Sequence, residues 1–92
     1  MTYRLLLTPQ AEDQLKEWRK SGQKKILNKI VSLLEELTLH PTTGTGQVEQ
    51  LRNNLAGYWS RRIDKANRLI YSIEEDRIVV HVISLKGHYS DR

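Results

Sequence analysis

The 92-residue sequence predicts an α+β fold: an N-terminal strand and a helical hairpin packed on one face of a mostly antiparallel sheet. Three observations carry that prediction. Apolar residues recur at helical spacing through two consecutive segments between residues 9 and 38. The string "HPTTGTG" (His40–Gly46), a loop by composition, follows them. Beyond it the apolar residues alternate with period two as far as residue 85.

Taken in order, "YRLLLT" (Tyr3–Thr8) reads as a first strand. Thr8-Pro9 then reads as a helix start, with Thr8 as N-cap and Pro9 as the first helical residue. Glu12 and Asp13 favour the positive end of the helix dipole. Ala11, Leu15 and Trp18 keep helical spacing to about Lys20, and Ser21-Gly22 ends it. A second helix is expected over Gln23–Thr38. Ile26, Leu27, Ile30, Val31, Leu33, Leu34 and Leu37 form its apolar stripe, and Lys24, Lys25 and Lys29 lie largely off it. After the loop, Tyr58–Ile63, Arg68–Ile73 and Arg77–Leu85 read as three strands with short polar connections. The last is the most apolar and is expected at the centre of the sheet. Alternation puts Leu69, Tyr71 and Ile73 on the core side and Arg68 on the exposed side. Whether Arg61 or Arg62 joins Arg68 depends on register, which the alternation leaves open.

Composition narrows the function classes. Hydrophobic residues make up 38% and charged residues 28%, which suits one small globular domain. The absence of Cys excludes disulfides and thiolate metal sites and leans towards the cytoplasm. Leu5–Leu7, the only N-terminal apolar run, is too short for a signal peptide or membrane span. Net charge is +4, and Arg52, Arg61, Arg62, Lys65 and Arg68 against Asp64 account for all of it. A basic patch concentrated in the one segment Arg52–Arg68 suits a polyanion such as nucleic acid, or an acidic protein partner.

His40, His81 and His88 have no paired metal-ligand spacing, and "GTG" (Gly44–Gly46) leads towards an extended segment and not a helix. No metal and no cofactor is therefore expected. What remains is a set suited to acid–base work: Glu49, Arg68, and the terminal pair His88-Tyr89. Cleaving RNA without a metal needs a base for the 2′-OH proton, a cation for the charge on phosphorus, and an acid for the leaving 5′-oxygen. His titrates near neutrality, Arg clamps phosphate with a planar fork, and Glu serves as base where its surroundings raise its pKa. Each of these residues taken singly also fits a solvated surface position. His81, between Val80 and Val82, reads as a half-buried structural residue, and His40 as a helix-end residue.

The strings "LAGYWSRRID", "NRLIYSI" and the terminal "KGHY" resemble the YoeB/Txe branch of the RelE/ParE toxin superfamily. The resemblance runs from first strand to last, so residues 1–92 are expected to form a single toxin domain with the RelE-like microbial RNase fold. It implies the toxin of a type II toxin–antitoxin system, a metal-independent endoribonuclease that cuts mRNA in the ribosomal A site. Glu49 then matches the general base, His88 the general acid, Arg68 the phosphate stabiliser and Tyr89 a substrate-orienting residue. Arg52, Arg61, Arg62 and Lys65 match RNA binding. Trp59 is expected to pack structurally. The implied partners are a cognate YefM/Phd-like antitoxin, the ribosome with its mRNA, and a second copy of the chain in a homodimer. No membrane is implied. The chain departs from the family pattern at Val48, where Pro is frequent, at Asn67, where His is frequent, and in the tail Ser90-Asp91-Arg92. The competing expectation is a ParE-like toxin that inhibits a protein such as gyrase by binding, and a third is an inactive RNA- or antitoxin-binding module. The combination of Glu49, Arg68, His88 and Tyr89 favours the nuclease.

Overall fold

Thr8 joins the two halves of the molecule. In the computed structural model, which describes residues 2–87, its Oγ1 accepts from the Ala11 amide at 3.1 Å and donates to the Ile83 carbonyl at 2.9 Å. One hydroxyl therefore caps a helix and ties that helix to a strand. Helix α1 (Pro9–Lys20) begins there, with Pro9 in the first turn and Arg19 and Lys20 in the last. It ends at Ser21 and Gly22, whose φ of +76° is the left-handed cap that glycine takes without steric cost. Helix α2 (Lys24–Leu39) buries Ile30, Leu33 and Leu37 on the stripe that the spacing predicts. Its ends oppose its dipole. Lys24 and Lys25 open it, and its last turn carries no basic residue. Apolar burial, and a cation brought from elsewhere, must hold it.

Strands β1 (Arg4–Leu7), β2 (Glu49–Gln50), β3 (Tyr58–Arg62), β4 (Arg68–Glu74) and β5 (Val79–Ser84) form a sheet in the order β1-β5-β4-β3-β2. β1 runs parallel to β5, and the other pairs are antiparallel. The predicted α+β architecture is therefore the observed one. Two details differ from expectation. β5 is internal, but the middle strand is β4, because β2 adds a fifth strand at the far edge. Two residues are too few to show a period-two pattern, so β2 leaves no mark in the sequence. β5 also starts at Val79 and not Arg77, since the turn over residues 75–78 ends with Ile78 at φ +55°. A β-branched residue rarely enters that region, so sequence pattern extends the strand through it.

Both helices lie on one face. Leu5, Leu7, Leu69, Tyr71, Val80, Val82 and Leu85 meet Ala11, Trp18, Ile30, Leu33 and Leu37 there to form the core. Trp59 packs against this cluster half-buried, as the sequence suggests. α1 also grips the end of β5. Trp18 Nε1 donates to the Leu85 carbonyl at 2.9 Å, and Gln14 Oε1 accepts from the Leu85 amide at 2.6 Å. Among the described residues, no helix covers the opposite face.

Candidate nucleic-acid interface and active site

Register decides what the open face presents. In β3 and β4 the antiparallel partners are Arg62↔Arg68, Arg61↔Leu69, Ser60↔Ile70 and Trp59↔Tyr71. Directly opposed residues share a face. Leu69 and Tyr71 are fully buried in the core, so Arg61 and Trp59 point towards the helices. Arg62, Arg68, Ser60 and Ile70 face the other way. β2 extends that surface, because Glu49 pairs with Ser60. The open face therefore collects Glu49, Arg62 and Arg68. Strands repeat at 4.7–4.9 Å and residues along a strand at about 3.3 Å, so Glu49 and Arg68, two strands apart and two residues out of step, sit on the order of 12 Å from each other, backbone to backbone, with β3 between them.

Arg62 and Arg68 are direct cross-strand neighbours. Like charges so placed cost roughly 0.2–1 kcal/mol, and an anion laid across them turns the repulsion into attraction. Arg52 and Lys65 frame β3 from its two ends. Arg52 precedes a 3-10 turn (Asn53–Leu55) that leads into β3, and Lys65 lies in the turn that leaves it. Both are exposed. Asp64, beside Arg62, stays anionic. Desolvation raises its pKa, but the Ala66 amide, the Asn67 side chain and amide, and the Arg62 charge outweigh this and hold it below the usual carboxylate value.

Arg61 corrects one expectation. The resemblance groups it with the RNA-binding residues, yet it is 0% exposed and every one of its five N–H donors is taken within the protein. Nε donates to Tyr71 Oη at 3.3 Å. Nη1 donates to the Glu36 carboxylate and to the Thr45 carbonyl at 3.2 Å. Nη2 donates to the carbonyls of His40 and, at 2.7 Å, of Thr43. No donor remains for a phosphate. The guanidinium supplies instead the cation that the C-terminal end of α2 lacks. The physical reason is register: the five-residue connection after Arg62 sets Arg61 opposite Leu69, on the core side. The carbonyl of His40, read as a helix-end residue, is one of those that Arg61 meets.

The other predicted residues divide by element. Tyr58 lies half-buried on the open face, opposite Ser72. His81, 34% exposed, contacts Glu74 Oε1 through Nε2 at 2.8 Å, and that bond is the chief reason the Glu74 carboxyl titrates below its usual value. His88 and Tyr89 lie outside the described residues. Gly87, just before them in sequence, is tied beside Arg68. The Arg68 amide donates to the Gly87 carbonyl at 2.9 Å, and the Gly87 amide donates to Asn67 Oδ1 at 2.8 Å. Asn67 also donates from Nδ2 to the Asp64 carboxylate at 3.0 Å. Its part in holding Gly87 escaped sequence reading, although its departure from the family pattern was visible. Ser60 was missed outright. It is fully buried on the Glu49 side of β3, and its Oγ has no hydrogen-bond partner among the described residues. Its position in the run "YWSRRI" gave no signal apart from alternation.

Comparison with known proteins gives one answer. A family model described as the YoeB-like toxin of bacterial type II toxin–antitoxin systems matches residues 7–89. Toxin YoeB of Synechocystis is 39% identical over 72 residues, covering 78% of this chain and 81% of its own. The structure of a YoeB/ParE toxin from Agrobacterium tumefaciens superposes with a TM-score of 0.87 at 30% identity, covering 94% of this chain and 99% of that one. Two Staphylococcus aureus structures, a YoeB dimer and a heterotetrameric YoeB–YefM toxin–antitoxin complex, superpose with TM-scores of 0.82 and 0.79. Each is 32% identical and covers 97% of this chain and 100% of the other.

Proposed function

The chain belongs to the YoeB-like toxins of bacterial type II toxin–antitoxin systems, and from that premise we propose that it is a ribosome-dependent endoribonuclease cutting mRNA by general acid–base chemistry. The observation that carries the proposal is the shared open face of Glu49, Arg62 and Arg68, with the segment after β5 tied at Gly87 beside Arg68. Glu49 takes the proton from a ribose 2′-OH as that oxygen attacks phosphorus. Arg68 stabilises the extra charge on the phosphoryl oxygens. His88 protonates the departing 5′-oxygen, which leaves a 2′,3′-cyclic phosphate and a free 5′-OH. Tyr89 orients the substrate. Arg62, Arg52 and Lys65 hold the flanking phosphates, where sequence-independent affinity arises.

The same reading supplies partners. By analogy with the Staphylococcus aureus complex, the chain binds a YefM-like antitoxin; charge complementarity calls for acidic residues on that partner to meet the open face. It forms a homodimer, as that protein does. Val31 and Leu39 of α2, 43% and 57% exposed, offer apolar surface for it. Its site of action is the translating ribosome in the cytoplasm.

Primer extension on a defined mRNA in a reconstituted translation system tests the proposal. Wild type is expected to give codon-phased cuts that require ribosomes, and His88→Gln to abolish them. Intact mRNA beside arrested growth on expression would replace the nuclease with a toxin that inhibits a protein target by binding.

A further inference from the structure

Glu49 stands on a strand of two residues at the edge of the sheet. So short an edge strand cannot fix a side chain by its own ladder bonds, yet a general base must be held closely in place to work. The segments on either side of the strand set its backbone. After Glu49, Leu51 is buried and its amide donates to the Tyr58 carbonyl at 2.9 Å. Before it, the loop is gripped from below by the group that closes around Arg61. Three loop or helix-end carbonyls, of His40, Thr43 and Thr45, accept from the guanidinium. Glu36 accepts from the amide of Thr45 and, at 2.9 Å, from its hydroxyl. Tyr71 Oη donates to the Pro41 carbonyl at 2.6 Å.

The grip passes on through glycine. The Gly46 carbonyl accepts from the Arg62 amide at 2.6 Å, and a Cβ on Gly46 would press on the Arg62 backbone at 3.2–3.3 Å. Gly46 also holds φ +92°. The loop backbone is thus laid directly against β3, three residues before Glu49. Arg61 and Arg62 act on opposite sides of one strand: Arg61 anchors the loop beneath, and Arg62 stands on the open face above.

We propose that Arg61, with Glu36 and Thr45, is a positioning unit for Glu49: it sets the loop from which the base is presented, and touches no substrate itself. The inference rests on the nuclease reading above. It assigns the first of the paired arginines a role separate from that of the second, which meets the RNA.

Two mild variants test it without emptying the core. Thr45→Val removes one hydroxyl bond to Glu36, and Glu36→Gln removes the charge facing Arg61. In single-turnover cutting of ribosome-bound mRNA, each is expected to lower kcat about tenfold or more, with KM changed less than about twofold. Amide exchange should speed up across residues 43–48 while Leu51 stays protected. The decisive readout is a double-mutant cycle with Glu49→Gln. If the unit acts through the base, Thr45→Val costs nothing further once the base is gone. Arg61→Lys, which keeps the charge but not the fork, should fail to restore wild-type kcat.

Wild-type cutting by both mild variants would overturn the inference. So would a Thr45→Val loss that is as large in the Glu49→Gln background as in wild type, since the effect would then bypass Glu49. A wild-type protein that does not cut at all would overturn the nuclease reading and this inference together, which separates the two kinds of failure.

Discussion

Replacing Arg61 by Met keeps a long apolar stem and removes the guanidinium. The structure sets the size of the effect. Five donors disappear, and the Glu36 carboxylate and the carbonyls of His40, Thr43 and Thr45 lose a partner together. Removing one member of a buried ion pair costs about 3–5 kcal/mol, because its partner is left desolvated and uncompensated. Here the Arg61 side chain is 0% exposed but Glu36 is 25% exposed, so water reaches the carboxylate and the low end applies, about 3 kcal/mol. Unfolding entropy scales with length, and for a chain of this size about 3 kcal/mol corresponds to a fall in Tm of roughly 15 °C. A small domain holds only about 5–15 kcal/mol in total, so the loss should be plain in urea denaturation at pH 7. The Arg62→Met variant is the control. Its site is on the open face and its loss should stay below about 1 kcal/mol. If Arg61→Met shifts stability by no more than Arg62→Met does, Arg61 is not the internal brace described above.

The acid response follows from carboxyls held below their usual values. Asp64 is one, so its contribution to stability is complete above the ordinary value of 3.8 and is lost as pH falls through the lower folded value; Asp64→Asn should flatten the acid limb of a stability–pH curve, and an unchanged limb would refute the assignment. Gly44→Ala should destabilise far more than Gly22→Ala in thermal melts. Both hold positive φ, but a Cβ on Gly44 would overlap the Glu36 carboxylate, whereas one on Gly22 meets nothing within 4 Å; the Gly22 change should cost about 1 kcal/mol, and equal losses would refute the claim. Asn67→Ala should release the Gly87 amide to faster hydrogen exchange and slow mRNA cutting about tenfold while the core stays protected; an unchanged Gly87 exchange rate would remove Asn67 from that role.

Most of the fold could be read in advance because its signals are local. Thr8-Pro9 caps a helix whatever surrounds it, and the α2 stripe is set by 3.6 residues per turn. The alternation over Arg68–Ile73 separates Leu69 and Tyr71 from Arg68 without knowledge of any neighbour. Short or strained elements escaped. β2 is too brief to carry a period, and Ile78 occupies a backbone region that its side chain disfavours. In the candidate site, the resemblance singles out Glu49, Arg62 and Arg68, and β-pairing puts the three on one face. Arg61 was misread, because a buried arginine and a phosphate-binding arginine are the same letter in the same strand.

By itself the sequence determined the α+β class, the helical hairpin, the basic strand pair and the family. All of these depend on residues near one another in the chain, where capping, periodicity and motif spacing act. Tertiary structure alone decided which arginine faces solvent and which is enclosed by the loop before Glu49. Those depend on β-strand register, and a slip of one residue reverses every side chain on a strand. Only the pairing of Arg61 with Leu69, and the closure of helix end and loop around its guanidinium, fixed that choice.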